Sequence, residues 1–219
     1  GETNKLDEIK KLRKRSIKPF FIWKLEFGEV FKDNGGFDVV IANPPYLGED
    51  GNKDIFSTIK NTELGERFHE RRMDLFYYFF HKSIDIANNG AHVSFITTNY
   101  YITADGAKNL RLDIKNRTVV KKIINFNELK IFKSATGQHN MITFLSKNKN
   151  DSAMMDACIT KRSGVVTDEN LIKILNQDDD KTEYSKIKQS ELFHGSDNII
   201  NLYSKRTPIN SILDKVQKK

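Results

Sequence analysis

Cysteine is almost missing. Cys158 stands alone among 219 residues, which excludes an internal disulfide and a cysteine-ligated zinc site. Long hydrophobic runs are missing too. The densest apolar stretch, 75–80, is followed by His81 and Lys82 and falls well short of the roughly 20 residues a bilayer-spanning helix needs. No basic, apolar, small-residue leader opens the sequence, so the expected setting is cytoplasmic, with no membrane partner. The five histidines, His69, His81, His92, His139 and His194, are scattered, with no pair at ligand spacing around a carboxylate; no metal is expected. Glycine occurs 12 times but never as a Gly-rich loop opening a helix, so no phosphate cradle is present. Proline occurs only four times, which gives weight to the two that are adjacent.

What is present suffices for a folded domain. A hydrophobic content of 38% and an aromatic content of 11% can build a core, which excludes wholesale disorder. Thirty-six basic residues against 29 acidic ones leave a net charge of +7, a balance that suits a polyanionic partner. The basic residues gather twice. Lys10, Lys11, Arg13, Lys14, Arg15 and Lys18 crowd the start, and Lys108, Arg111, Lys115, Arg117, Lys121, Lys122, Lys130 and Lys133 crowd the middle. Any one cluster reads equally well as a solvated helix face; together they read as a phosphate-facing surface.

Along the chain, residues 1–18 read as a charged helix or arm closed by Pro19. It opens on Gly rather than Met, without a cap or a strand, as a start inside a longer polypeptide would. An aromatic-rich, partly alternating segment covers 20–31, and Asn34-Gly35-Gly36 marks a turn. Residues 37–42 are a β-branched run of the kind buried in a parallel sheet, halted by Pro44 and Pro45, which donate no ladder hydrogen bond. The polar stretch 47–65 reads as a mobile loop. Apolar periodicity predicts a helix over 71–87, a strand over 91–97, a helix over 105–117, and strands over 119–126 and 141–145. This alternation is the pattern of a doubly wound α/β sheet. From 152 onward the apolar runs shorten, an acidic patch appears at Asp178-Asp179-Asp180, and a basic helix is predicted from Pro208. A second domain is expected to begin there.

The sharpest chemical signal is Asn43-Pro44-Pro45-Tyr46 at the carboxyl end of a predicted strand, where open α/β sheets bind ligands. Two prolines stiffen the backbone, and no N–H follows to pair with their carbonyls. An Asn side-chain oxygen beside such a carbonyl makes a pair of acceptors with fixed geometry. The pair suits the two hydrogens of an exocyclic amino group, and holding both draws the nitrogen lone pair out of ring conjugation. Tyr46 offers a flat face for a planar base. A Pro-Pro turn with an Asn cap is the plain structural alternative. Phe76–Phe80 reads mostly as core, Phe132 equally well as core, and Cys158 as a small core residue.

These residues resemble the gamma-class adenine-N6 DNA methyltransferases, S-adenosylmethionine-dependent enzymes on a Rossmann-like sheet. Residues 37–46, FDVVIANPPY, match that family's catalytic motif. Asp74-Leu75-Phe76 with Phe79 and Lys82, then Asn89-Gly90 and 93–96, resemble the next helix–strand pair. Residues 131–136, running into 141–145, resemble the later motif whose aromatic ring lies under the flipped base. Residues 18–31 are similar to the segment before the catalytic motif in type IIG (type IIS) restriction–modification enzymes. The resemblance implies that Asn43 and the Pro44 carbonyl accept the amino hydrogens. It further implies that Tyr46 and Phe132 sandwich an extruded adenine, and that Pro45 and Phe79 border the cofactor's adenosine. Lys121, Lys122 and Lys133 are the candidate DNA contacts. Extrusion is implied because the amino group is unreachable inside a stacked duplex.

The resemblance also carries departures. The family's Gly-rich cofactor turn should lie upstream and is missing here, Glu26 and Glu29 match its ribose-gripping acid only by type, and Thr98 stands where proline is frequent. The fold expected is therefore α/β, the C-terminal part of a Rossmann-like methyltransferase sheet: arm 1–18, partial catalytic domain 19–150, and 151–219 opening a target-recognition region. The function implied is site-specific DNA adenine-N6 methylation within a restriction–modification enzyme. The partners implied are double-stranded DNA and an upstream segment of the same polypeptide; the isolated chain is expected to be inactive and to bind cofactor weakly. Two other readings share the same residues: a protein glutamine-N5 methyltransferase, since an amide also presents a planar NH2, and a non-catalytic DNA-binding module.

Overall fold

The computed structural model describes Asp7, residues 21–132 and residues 138–203. The expected arm over 1–18, apart from Asp7, the candidate contact Lys133 and the basic helix from Pro208 lie outside the described residues. The elements in chain order begin with helices α1 (Trp23–Glu26) and α2 (Gly28–Asn34), strand β1 (Phe37–Ala42), and helices α3 (Lys53–Lys60), α4 (Glu63–Phe68) and α5 (Leu75–Ile86). Then follow β2 (Ala87–Thr98), α6 (Lys108–Arg117), β3 (Val119–Asn125), β4 (Leu129–Lys130), β5 (Asn140–Ser146) and β6 (Met154–Thr160). The last are β7 (Gly164–Val165), α7 (Asp168–Leu175), β8 (Thr182–Lys188), β9 (Phe193–His194) and β10 (Ile199–Ile200).

Six strands form one sheet in the order β1-β2-β5-β3-β6-β8. β1 and β2 run parallel, as do β3 and β6, while β5 is antiparallel to both its neighbours and β8 closes the far side antiparallel to β6. Four strands thus point one way, and their carboxyl ends share one rim. This is the α/β sheet the alternation implied, with β5 reversed between its neighbours. The expected boundary near 150 does not interrupt it, because Ile124 pairs with Cys158 and Cys158 with Tyr184.

One face of the sheet carries the main core, where Val93, Phe95, Ile123 and Leu145 meet Phe76, Phe80 and Ile84 of α5. The Phe80 and Phe95 rings lie 4.5 Å apart, within the range of a favourable aromatic pair. A smaller core on the other face gathers Ile124, Phe126, Leu129, Cys158 and Ile174, so Cys158 serves as a small buried apolar residue. Gly36 explains how α5 reaches the sheet so closely. Its φ is +151°, and a Cβ there would stand 2.4 Å from the Ile86 carbonyl, so only glycine fits.

Three expectations are corrected. β1 is not buried: it is the sheet's edge, and Val39 and Ile41 are 55% and 77% exposed because nothing among the described residues pairs with its outer side. Residues 47–65 are not a loop but hold a 3-10 turn, α3 and α4. Their polarity hid an amphipathic pattern that buries Phe56 and packs Ile59 and Leu64 on the core. The middle basic cluster is not one phosphate-facing surface. Arg111 is fully buried, and Arg117 bonds Asp113 and Asp85 at 2.5 and 2.6 Å.

Those last residues belong to a charge network between α5 and α6. Asp85 takes Arg67 at 2.9 Å and Arg117 at 2.6 Å. Asp113 takes Arg117 and the fully buried His81, at 2.6 Å from Nδ1. Phe68 stacks on the imidazole with ring centroids 3.7 Å apart. Burial drives His81 below its ordinary pKa against the pull of Asp113. Burial works against charge on Asp113 too, but hydrogen bonds from His81 and Arg117 outweigh it and hold the carboxyl low. His81 is therefore neutral, donating from Nδ1–H and leaving a bare Nε2 that has no hydrogen-bond partner among the described residues, which is cheaper than an orphaned N–H.

The sign for stability follows. A histidine whose folded pKa is depressed binds its proton more readily when unfolded, so stability is present above the unfolded value, near 6.5, and falls as pH drops below it. Denaturant titrations between pH 7.5 and 5.5 should show a loss of up to about 1.4 kcal/mol per pH unit from this group. His81→Phe should flatten that part of the profile, while an unchanged slope would place the titration elsewhere.

Candidate functional site

β1 ends because Pro44 and Pro45 supply no N–H to the ladder. The chain therefore leaves the sheet at Asn43, with Pro44 buried and Asn43 and Pro45 exposed at the rim. The outgoing chain is then fixed against the residues that open α5. Asp74 caps that helix, its Oδ1 accepting from Phe76 N at 3.3 Å, and the same oxygen accepts from Leu47 N at 3.1 Å. Leu75 N donates to the Leu47 carbonyl at 2.8 Å, and Glu49 N to the Met73 carbonyl at 3.0 Å. Gly48 and Asp74 form an antiparallel bridge. Residues 47–49 are thus laid down as a short strand against 73–75, and the turn between is held at both ends.

Tyr46 is half-buried within this turn. Its ring meets Phe76 edge-on at 6.0 Å. Its hydroxyl lies 2.9 Å from Asn43 Oδ1 and 2.9 Å from the Ile96 carbonyl of β2. Burial pushes the phenol up to about 12; the adjacent Asn140 amide partly offsets this and the Asp74 carboxylate reinforces it. The phenol is therefore protonated at any working pH. Asn140 itself, at the start of β5, is wholly buried, and among the described residues neither atom of its amide reaches hydrogen-bond geometry with a partner.

Three further asparagines stand at the rim. Asn99 Nδ2 donates to Asn125 Oδ1 at 3.1 Å, and Asn127 Nδ2 to the Thr160 carbonyl at 2.8 Å. His139 Nδ1 lies 2.9 Å from the Asn127 carbonyl. The loop after β2 is anchored from below by Arg111, which donates to the Tyr101 and Ala104 carbonyls at 2.8 and 2.7 Å and to the Asp197 carbonyl at 2.9 Å. No sequence signal marked Arg111 as structural; its basic neighbours disguised it.

Beside β1 opens a cleft of about 510 Å3, lined by Ala42, Leu75, Phe79, Lys82, Ser83 and Phe95 among others, a size that suits a small-molecule site. Of the expected core cluster 76–80, Phe79 is the member left out, at 41% exposed, and it faces this cleft. The lining is mostly apolar, which fits the flat face of an adenine ring. Among the described residues it holds no carboxylate for ribose hydroxyls, so those residues fit only part of a nucleoside cofactor.

The structure thus gathers Asn43, Pro44, Pro45 and Tyr46, with Phe79 in the adjoining cleft, although Pro45 does not line it. Phe132 is half-buried just after β4, which pairs with β7 in a separate two-stranded sheet and not in the sheet that carries β1. Lys121 and Lys122 sit in the first half of β3, roughly 10 Å short of the rim at about 3.3 Å per residue, and are not brought to the site.

The model of the Eco57I restriction-modification methylase family matches residues 2–132. RM.Eco57I of Escherichia coli, a type II restriction enzyme and methyltransferase, is 26% identical over 149 residues, covering 67% of this chain and 14% of its own length. The type II methyltransferase M.HincII of Haemophilus influenzae is 29% identical over 119 residues, covering 54% and 24%. The chain therefore spans under a quarter of the length of these relatives. Among solved structures, a nuclease-deletion mutant of the Type ISP restriction-modification enzyme LlaGI, in complex with a DNA substrate mimic, aligns over 85% of this chain and 20% of its own. The TM-score is 0.55 at 15% identity, a likeness of fold.

Asp74 is the residue on which the turn's geometry rests. Asp74→Ala should lower stability by about 1 kcal/mol, the usual loss for a helix cap, and should expose 43–49 to limited proteolysis. Asp74→Asn keeps an acceptor oxygen and should retain most of both. Equal protease resistance in all three proteins would show that the turn holds without it.

Proposed function

The chain belongs to the Eco57I restriction-modification methylase family, and on that premise we propose that it carries the amine-binding part of a site-specific DNA adenine-N6 methyltransferase. The observation that supports this most is the rim turn at residues 43–46, where an exposed Asn side chain follows an edge strand and two prolines leave carbonyls without ladder partners. Asn43 Oδ1 and the Pro44 carbonyl accept the two amino hydrogens of an adenine turned out of the duplex. Holding both pulls the nitrogen toward tetrahedral geometry and frees its lone pair. Tyr46 stacks on one face of the base and Phe132 on the other. No group need remove a proton before attack. The carboxylate that holds the turn, Asp74, is committed to two backbone N–H groups, and rate comes from alignment and local dipoles.

S-adenosylmethionine supplies the methyl group when bound. Within this chain the mostly apolar cleft and Phe79 accommodate its adenine, and Pro45 borders the adenosine side. The ribose-holding acid and the glycine turn come, in this reading, from an upstream segment of a longer polypeptide. The edge strand β1 supports that assignment. Val39 and Ile41 stand exposed, and a long apolar edge without a partner invites aggregation unless another strand covers it. Residues 1–18 are then the arm joining that segment, the catalytic sheet of 19–150 continues through β6 and β8, and the lead into a target-recognition region falls within 151–219. Double-stranded DNA is the partner, with the net charge of +7 favouring it. Lys121, Lys122 and Lys133 are assigned to the duplex flanks rather than to the base.

The test is methyl transfer from tritiated S-adenosylmethionine to duplex DNA by the longer polypeptide. Asn43→Ala should lower the single-turnover rate by about 100-fold or more, as loss of one preorganised polar group does. Equal rates would overturn the assignment. Labelling of protein rather than DNA would select the glutamine reading. The 219-residue chain alone should be inactive and should bind the cofactor more weakly than the longer polypeptide.

A further inference from the structure

The Tyr46 hydroxyl has more acceptors than it has protons. A phenol carries one O–H. A backbone carbonyl can only accept, so the Ile96 oxygen at 2.9 Å must take that proton if it is to be satisfied. The Asn43 side chain, also at 2.9 Å, then faces an oxygen with nothing left to donate. Two acceptors facing each other at that distance repel. A primary amide has a way out that a carbonyl lacks: rotated by half a turn, it occupies the same space with NH2 where oxygen had been.

We propose that the Tyr46 phenol sets the orientation of the Asn43 amide, donating its own proton to the Ile96 carbonyl and accepting from Asn43 Nδ2, so that Asn43 Oδ1 faces outward to the rim. Asn43 is exposed and lies three residues from Tyr46 on a turn fixed by Asp74, and among the described residues its amide makes no other hydrogen bond. The consequence concerns catalysis. Only the outward-oxygen orientation can accept an amino hydrogen; the reverse presents NH2 to NH2 and repels the substrate. Tyr46 thereby acts on the amine through Asn43, as a positioning residue, in addition to the stacking its ring performs. The proton count is firm because the phenol stays protonated: burial pushes it to about 12.

This inference rests on the methyltransferase reading, and two controls separate them. Loss of activity in Asn43→Ala supports the reading itself. Tyr46→Phe keeps the ring and removes only the oxygen. In single-turnover methyl transfer by the longer polypeptide it should slow the reaction about fivefold to tenfold, the worth of one hydrogen bond. Base extrusion, read from 2-aminopurine fluorescence at the target position, should be unchanged. The decisive comparison uses Asn43→Asp. A carboxylate has the same oxygen on both sides and needs no orienting, so adding Tyr46→Phe to Asn43→Asp should change the rate by less than about twofold. If Tyr46→Phe leaves the wild-type rate unaltered, or slows both backgrounds by the same factor, the phenol does not orient Asn43 and the inference fails. If Asn43→Ala is fully active, the reading beneath it fails instead.

Discussion

Everything at the rim depends on one constraint, the end of the β1 hydrogen-bond ladder at two consecutive prolines. A strand that could continue would carry Asn43 into the sheet, its backbone paired and its side chain committed to a face. Pro44 and Pro45 forbid that, so the chain must turn at the carboxyl edge. A turn released in this way would wander, and the structure prevents it with a single carboxylate. Asp74 accepts from Leu47 N while capping α5, so the position of the turn is coupled to a helix whose face is buried in the main core. Local backbone chemistry creates the opening, and tertiary packing makes it rigid.

The same economy governs the charged interior. His81, Asp113, Arg117, Asp85 and Arg67 form a chain of donors and acceptors between α4, α5 and α6. Two carboxylates face two guanidinium groups, and the histidine stays neutral, so the burial of charge is offset by pairing. Arg111 works differently. It holds no carboxylate; its donors satisfy the carbonyls of the loop after β2 and of residue 197. That ties the floor of the rim to the segment beyond β8, so the residues after 150 contribute to the same body as the site.

Similarity to restriction–modification proteins and the geometry of the turn bear on different questions. The family model covers 2–132, which includes the turn, the capped helix and β2. The sheet extends past it through β6 and β8. The chain spans 14% of one such relative, and its edge strand β1, with Val39 and Ile41 exposed, lies beside a mostly apolar cleft.

The alternation of strands and helices, a helix over most of 71–87 and the turn at 43–46 were legible in the sequence, because each rests on local chemistry: β-branched runs, periodic apolar residues, and prolines that cannot donate; the Asp74 cap that opens α5 at Leu75 was not. The sequence was misleading wherever meaning depended on a distant partner. Residues 47–65 look like a loop until Phe56 and Leu64 are seen against the core, and 37–42 look buried until β1 proves to be the edge. Arg111 and Arg117 look like phosphate contacts until Tyr101, Ala104, Asp85 and Asp113 surround them. The proximity of Tyr46 to Ile96, fifty residues away, had no local signature at all. Only tertiary structure decides such pairings, since hydrogen-bond partners far apart in the chain leave no periodicity and no spacing for a sequence to display.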